Sequence, residues 1–272
     1  RGLGDVYKRQ VVVYIEGDGL SWIDRFTPSS DPTPKNPLAF KLAKLDQNQN
    51  VVYLARPCQY IQNNRCQREI WTKLQYSNEI MANYTNILKE LKNKHSKVHL
   101  VGYSGGSVIA MYLASIKELN IKSVRTVAGN IKPNEFTQLL NISPYRTSLN
   151  LNAIENNIQS VSQSHFYGAK DKVIPKELYT NYQERNLNNS CIKFTKVNAT
   201  HNKKWELFWQ NNSKKHFGKG FWRRSLADIH TTNYLGNLGT GKNKNRSYDV
   251  HHLDDESKRL LLGMTDKMRV NQ

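Results

Sequence analysis

Val98-His99-Leu100-Val101-Gly102-Tyr103-Ser104-Gly105-Gly106-Ser107-Val108-Ile109-Ala110-Met111 is the stretch that decides the fold of this chain. A short apolar run enters Gly102-Tyr103-Ser104-Gly105-Gly106, and small and aliphatic residues leave it. The order is strand, sharp turn, helix, the setting in which a Gly-x-Ser-x-Gly word presents a nucleophilic serine. A serine on so tight a turn takes a strained backbone, and neighbours with a Cβ would clash across the bend. Such a turn holds the Ser104 hydroxyl out at the top of a sheet. It also aims the first amides of the next helix at whatever Ser104 attacks. Taken alone, the same five residues also describe a glycine-rich turn that binds nothing.

A serine hydroxyl is a poor nucleophile until a base takes its proton, and the base needs a carboxylate to hold its tautomer. Downstream, Ser164-His165-Phe166-Tyr167-Gly168-Ala169-Lys170-Asp171 reads as a strand ending in a loop that carries an acid. Pro175 then suits the first turn of a helix. Cys191 to Val197 alternates like a last strand and runs into Asn198-Ala199-Thr200-His201. Asp171 and His201 thus follow Ser104 in the order Ser, Asp, His, each just past a strand, where open α/β sheets place their ligands. Each residue also has an ordinary reading, Asp171 as a loop aspartate and His201 as a helix-start residue. His99 and His165 compete as bases but sit inside or at the start of strands. Glu135, after the Val124–Gly129 run, is the alternative acid.

A tetrahedral intermediate needs two N–H donors. Gly105, immediately after the serine, supplies one candidate amide. The second is expected after an earlier strand. Val11 to Glu16 reads as a buried strand followed by Gly17-Asp18-Gly19, so the Asp18 amide is the expected second donor, with Gly17 and Gly19 shaping the turn. The plain alternative is an Asp-Gly turn. No ligand cluster supports a metal at Asp18, and no cofactor is called for.

These features together resemble the α/β-hydrolase superfamily, and most of all bacterial exported hydrolases of the cell envelope. The words that carry the resemblance begin with Tyr14 to Trp22, Asp31 to Pro37 and Tyr53 to Tyr60. They continue with Gly102 to Gly106, Val127 to Asn130, Gly168 to Asp171 and Ala199 to His201. The resemblance spans 11–210. It implies an α/β-hydrolase fold, mostly parallel with helices on both faces. It also implies a Ser104, Asp171, His201 triad and hydrolysis of a small-molecule or lipid ester or thioester through an acyl-enzyme. The alternative is a catalytically inactive binding protein of the same fold. Against the family pattern, the chain starts at the third strand, so the first two are expected to be truncated.

Residues 1–10, Arg1 to Gln10, resemble a translated sequencing adapter, with a genuine polar N-terminus as the alternative; under the adapter reading the sequence is expected to be a fragment cut at its 5′ end. Cys58 and Cys66 stand eight apart, and Cys191 is left over. Chemistry alone leaves a disulfide and free thiols both open. The resemblance to exported proteins implies a Cys58–Cys66 bridge and a periplasmic or envelope location, against a cytoplasmic alternative with free thiols.

The formal charge is +18. Without the adapter's Arg1, Lys8, Arg9 and Asp5 it is +16. The lysines are scattered and no nucleic-acid-binding motif is present, so no nucleic-acid partner is expected. No run of 18 or more apolar residues exists, so no membrane-spanning helix is expected. Asn36 to Asp46 predicts a short helix, and Val51 to Ala55 a buried strand. Ile80, Tyr84, Ile87, Leu88 and Leu91 predict a helix packed on the sheet. Residues 132–161 lie where this fold inserts a lid, with Phe136, Leu139, Leu140 and Tyr145 as candidate pocket walls or as surface helices. Residues 211–272 carry twelve Lys and Arg against six acids and read as a basic polar extension. There, Gly236 to Asn243 approaches a phosphate loop but has Asn243 where a Ser or Thr would hold Mg²⁺. His251-His252 with Asp254-Asp255 reads as a solvated polar run.

Overall fold

The computed structural model describes residues 10–213. The adapter-like segment lies outside the described residues except for Gln10, which opens the first strand. Also outside are residues 214–272, with the Gly236–Asn243 and His251–Asp255 stretches.

The chain alternates strands and helices. In order these are β1 (Gln10–Ile15), α1 (Leu38–Leu45), β2 (Val51–Leu54), α2 (Arg68–Trp71), α3 (Asn78–Lys94), β3 (Lys97–Tyr103) and α4 (Gly106–Ser115). They continue with β4 (Ser123–Val127), α5 (Pro133–Leu139), α6 (Ala153–Asn157), β5 (Ser162–Gly168), α7 (Glu177–Arg185), β6 (Ile192–Val197) and α8 (Glu206–Asn212). The six strands form one sheet in the order β2-β1-β3-β4-β5-β6. Every neighbouring pair is parallel. A parallel pair needs a crossover, and helical crossovers cover both faces of the sheet.

The period-two alternation of β1 separates the two cores. Val11, Val13 and Ile15 join the buried stripe of α3, the apolar body of α4 and the inner face of α7. Val12 and Tyr14 face the other way, against Leu38 and Leu42 of α1 and Trp209 of α8. Each fully buried aliphatic side chain contributes roughly 1.5–3 kcal/mol, so both faces of β1 are strongly specified. Ile80, Tyr84, Ile87, Leu88 and Leu91 are all buried along α3, as their spacing predicts. The Ser77 hydroxyl caps this helix by accepting the Ile80 amide at 3.4 Å.

Helix α1 starts at Leu38, two residues later than the sequence predicts, because Pro37 takes the cap position in an extended conformation. Pro37 has no side-chain oxygen to offer. The orphan amides of Ala39 and Phe40 are taken instead by the carboxylate of Glu16, from the end of β1.

Residues 132–161 hold α5 and α6 with irregular backbone between them. Phe136 is buried in the core that contains α4, whereas Leu139 and Leu140 are 42% and 38% exposed. The Tyr145 ring meets the Tyr76 ring edge-on at 4.8 Å. Cys58 and Cys66 are joined in a disulfide, and Cys191 is a free, part-buried thiol. Among the described residues no helix is long and apolar enough to cross a membrane.

Candidate active site

Parallel register brings the C-terminal ends of the strands level, Ile15 beside Gly102 and Tyr103 beside Val127. The loops that leave these ends therefore converge. Ser104 stands at the end of β3 with φ +50°, a left-handed conformation that costs a non-glycine residue roughly 1–3 kcal/mol. Three hydrogen bonds hold it there. The Ser104 amide donates to Val127 O at 3.1 Å, and Ser104 O accepts the amides of Ser107 at 3.1 Å and Asn130 at 3.0 Å. The outer glycines are required by space. A Cβ on Gly102 would lie 2.5 Å from Ser107 Cα, and one on Gly106 would lie 2.4 Å from Ile15 O.

Asp171 and His201 reach the same point from β5 and β6. The loops after these strands are laced together, with Ala169 N donating to Val197 O at 2.7 Å and Lys170 N to Ala199 O at 2.9 Å. Asp171 Oδ1 accepts the amides of Val173 and Ile174, which fixes its carboxylate. Its Oδ2 lies 2.9 Å from His201 Nδ1, and His201 Nε2 lies 3.0 Å from Ser104 Oγ. The Asp171 side chain is 3% exposed and that of His201 16%. Trp205 braces the histidine turn by donating its indole N–H to the carbonyls of Thr200 and His201. The Tyr103 ring lies 5.3 Å from the imidazole. In this geometry an imidazole can accept a hydroxyl proton while a carboxylate steadies the imidazolium.

The other candidates lie elsewhere. His165 is fully buried between Thr126 and Gln163, and burial pushes its pKa down to about 3. His99 contacts Ser123 within the sheet, and burial, with Arg125 and nearby lysines, lowers it to about 3. Glu135 is held by Asn181 and Arg185 of α7.

The loop after β1 lies directly on the serine turn. A Cβ on Gly17 would lie 3.0 Å from Ser104 Cβ, so only glycine lets this backbone pass so close. Among the described residues, neither the Asp18 nor the Gly105 amide donates to a protein acceptor. Gly105 directly follows Ser104, and the loop that carries Asp18 passes against the Ser104 Cβ, the region where oxyanion donors are expected.

Two groups here have no clear signal in the sequence. The Asp18 carboxylate leans over Gly105, its Oδ1 only 1.9 Å from where a Gly105 Cβ would stand. A carboxylate here puts negative charge beside the serine turn, and Arg56 neutralises it. Arg56 Nη1 donates to Asp18 Oδ1 at 2.8 Å, and Nη2 donates to Gln75 O and Oε1. The guanidinium also lies over the Tyr76 ring at 5.2 Å. Tyr76 in turn donates its hydroxyl to Gly105 O at 3.3 Å. The second group is Glu16, which accepts the amides of Gly17, Ala39 and Phe40 and the hydroxyl of Tyr53. Burial outweighs these four donors and raises its pKa to about 7. The one available hint is a charge placed at the end of an otherwise apolar strand. Among the described residues no group of His, Cys, Asp and Glu is arranged to hold a metal ion.

No family model matches the chain, and no curated protein matches it in sequence. Solved structures do. An esterase of Pyrococcus furiosus superposes with a TM-score of 0.52 at 13% identity, over 76% of this chain and 79% of that one. Est1E of Butyrivibrio proteoclasticus, solved with ferulic acid, superposes with a TM-score of 0.50 at 12% identity, over 77% and 88%. At such identities the likeness speaks for the backbone arrangement. With its parallel sheet and its serine turn at the end of β3, the chain has the α/β-hydrolase fold.

Proposed function

We propose that this protein is a serine hydrolase of carboxylic esters or thioesters, with Ser104, His201 and Asp171 as its triad. The observation that carries the reading is the continuous chain from Asp171 through His201 to Ser104, with contacts of 2.9 and 3.0 Å. In the neutral tautomer, His201 donates Nδ1–H to Asp171, and Nε2 accepts the Ser104 hydroxyl proton. Ser104 Oγ then bonds to the ester carbonyl carbon. The amides of Gly105 and Asp18 receive the oxygen that becomes negative. The imidazolium returns its proton to the leaving alcohol or thiol as the tetrahedral intermediate collapses to an acyl-serine. Water, deprotonated by His201, adds to the acyl carbon and releases the acid.

The esterase names of the structural neighbours agree with this reading. Tyr145, whose ring meets that of Tyr76 beside Gly105, is proposed to wall the acyl side. A periplasmic or envelope location is proposed as well, and the Cys58–Cys66 disulfide supports it.

A fluorophosphonate probe tests the activity, because it captures a serine only when the base and oxyanion donors work together. Labelling and p-nitrophenyl ester hydrolysis are expected, with both lost in Ser104→Ala. No labelling of folded protein, or labelling that survives Ser104→Ala, overturns the reading and leaves a binding protein of the same fold.

A further inference from the structure

We propose that the turn 20–28, after β1, is a docking wedge that seats the Ser104 end of the sheet on an anionic lipid surface. This goes beyond the hydrolase reading and does not depend on it.

The turn is a small preformed hairpin. Trp22 and Pro28 form an antiparallel bridge, and Ile23 N donates to Thr27 O at 2.9 Å. The Asp24 carboxylate accepts the amides of Phe26 and Thr27, both at 2.8 Å, which closes the tip. Its base is tied down. Ser29 N donates to Ser21 O, and Trp71 Nε1 donates to Ser29 O at 3.2 Å. From this rigid stalk Phe26 projects 82% exposed, Ile23 65% and Trp22 40%. Single exposed apolar residues are ordinary, but three within five residues on a braced tip form a patch. The mixture of an indole at the base with aliphatic and phenyl groups at the tip suits the boundary between headgroups and acyl chains.

The electrostatics select the kind of surface. The connections after β1, β5 and β6 (16–37, 168–176 and 198–205) all leave the C-terminal end of the parallel sheet. A hydrogen bond from Asn36 Nδ2 to Asn202 O joins the first to the last. Together they expose seven cations: Arg25 and Lys35 near the wedge, Lys170, Lys172 and Lys176 after β5, and Lys203 and Lys204 after β6. Their exposed acids are Asp24, engaged within the turn, and Asp31. Exposed cations on the loops at this end of the sheet, with an exposed apolar tip on the first of them, match a negatively charged bilayer. A protein partner of ordinary affinity needs about 800 Å² per side, more than three side chains on a narrow tip offer.

The test is sedimentation of the full chain with phosphatidylcholine vesicles, with and without phosphatidylglycerol. Binding to the anionic vesicles is expected, weak binding to the neutral ones, and a decline with added salt. The double variant Ile23→Ser/Phe26→Ser keeps every charge and is expected to lower partitioning at least about tenfold. A variant that binds as well as the parent overturns the proposal and assigns binding to charge elsewhere, including residues 214–272. Equal binding to neutral vesicles, or none to anionic ones, also overturns it, as does concentration-dependent self-association that the double variant abolishes. A second measurement avoids any folding defect. Trp71, Trp205 and Trp209 are buried, so with Trp222→Phe as background the lipid-dependent change in emission reports Trp22, which should shift to the blue and be quenched by brominated lipid. Unchanged Trp22 emission on bound vesicles refutes the wedge.

Discussion

Replacing Arg56 by methionine strands the Asp18 carboxylate beside Gly105, and the proposed chemistry makes that costly. Asp18 Oδ1 overlies Gly105, whose amide is one proposed oxyanion donor. Its charge is taken to stand about 5 Å from the proposed oxyanion, and Arg56, 2.8 Å from Asp18, offsets it in the native site. With an effective dielectric of about 20, two negative charges at that distance repel by about 3 kcal/mol. A cost of that size in the transition state lowers kcat/KM about 150-fold. The loss should fall on kcat, because the ground-state ester carries no matching charge. Removing the carboxylate as well removes the repulsion and leaves the Asp18 backbone amide in place. Asp18→Asn/Arg56→Met is therefore expected to recover most of the loss, making the pair strongly non-additive. The assay is p-nitrophenyl ester hydrolysis at fixed pH and ionic strength, on variants matched for cooperative unfolding. An Arg56→Met enzyme within a few-fold of the parent refutes the reasoning. So does a double variant no faster than the single, which would assign Arg56 to loop architecture alone.

Gly106→Ala places a methyl 2.4 Å from Ile15 O and should destabilise the protein by about 1–3 kcal/mol, read by thermal unfolding; an unchanged midpoint contradicts the close approach. Glu16 has its pKa raised from 4.5 to about 7. Below about pH 4.5 it is protonated both folded and unfolded. Between 4.5 and 7 the unfolded chain gives up the proton while the native state keeps it, so stability falls as pH rises. Above about 7 the full cost, of order 3 kcal/mol, is present. Glu16→Gln should flatten urea-derived stability across that window, and an identical slope in both proteins argues against a raised Glu16. The Cys58–Cys66 bond closes a loop of nine residues, Cys58 to Cys66. Reduction should remove about 2.5 kcal/mol of stability by the loop-entropy relation, and equal urea midpoints with and without reductant exclude a stabilising bridge.

The sequence made some of this legible because the signal is contiguous. The Val98–Met111 run carries its own strand, turn and helix. The unbroken apolar run of Val11 to Ile15 announces a strand buried on both faces. The 3.6-residue stripe from Ile80 to Leu91 gives α3 directly, with the face it buries. The start of α1 was less legible. Its amides are capped by Glu16, 23 and 24 residues earlier in the chain, and no local rule reports such a partner. The order Ser104, Asp171, His201 was readable from strand ends. That His201, and not His165 or His99, meets Ser104 depends on which side chains leave the end of the sheet.

By itself, the sequence determined the alternation of strand and helix, the strained serine turn, and the order of acid and base behind it. Each is set by backbone sterics or hydrophobic period within a dozen residues. Only the tertiary structure decided the pairing of Arg56 with Asp18, 38 residues apart, and the burial of Glu16. It alone also decided the exposure of Phe26, and the bridge was left open by cysteine chemistry alone. Charge pairing, desolvation and exposure depend on what stands a few ångströms away in space, and parallel crossovers bring together residues that sequence distance keeps apart.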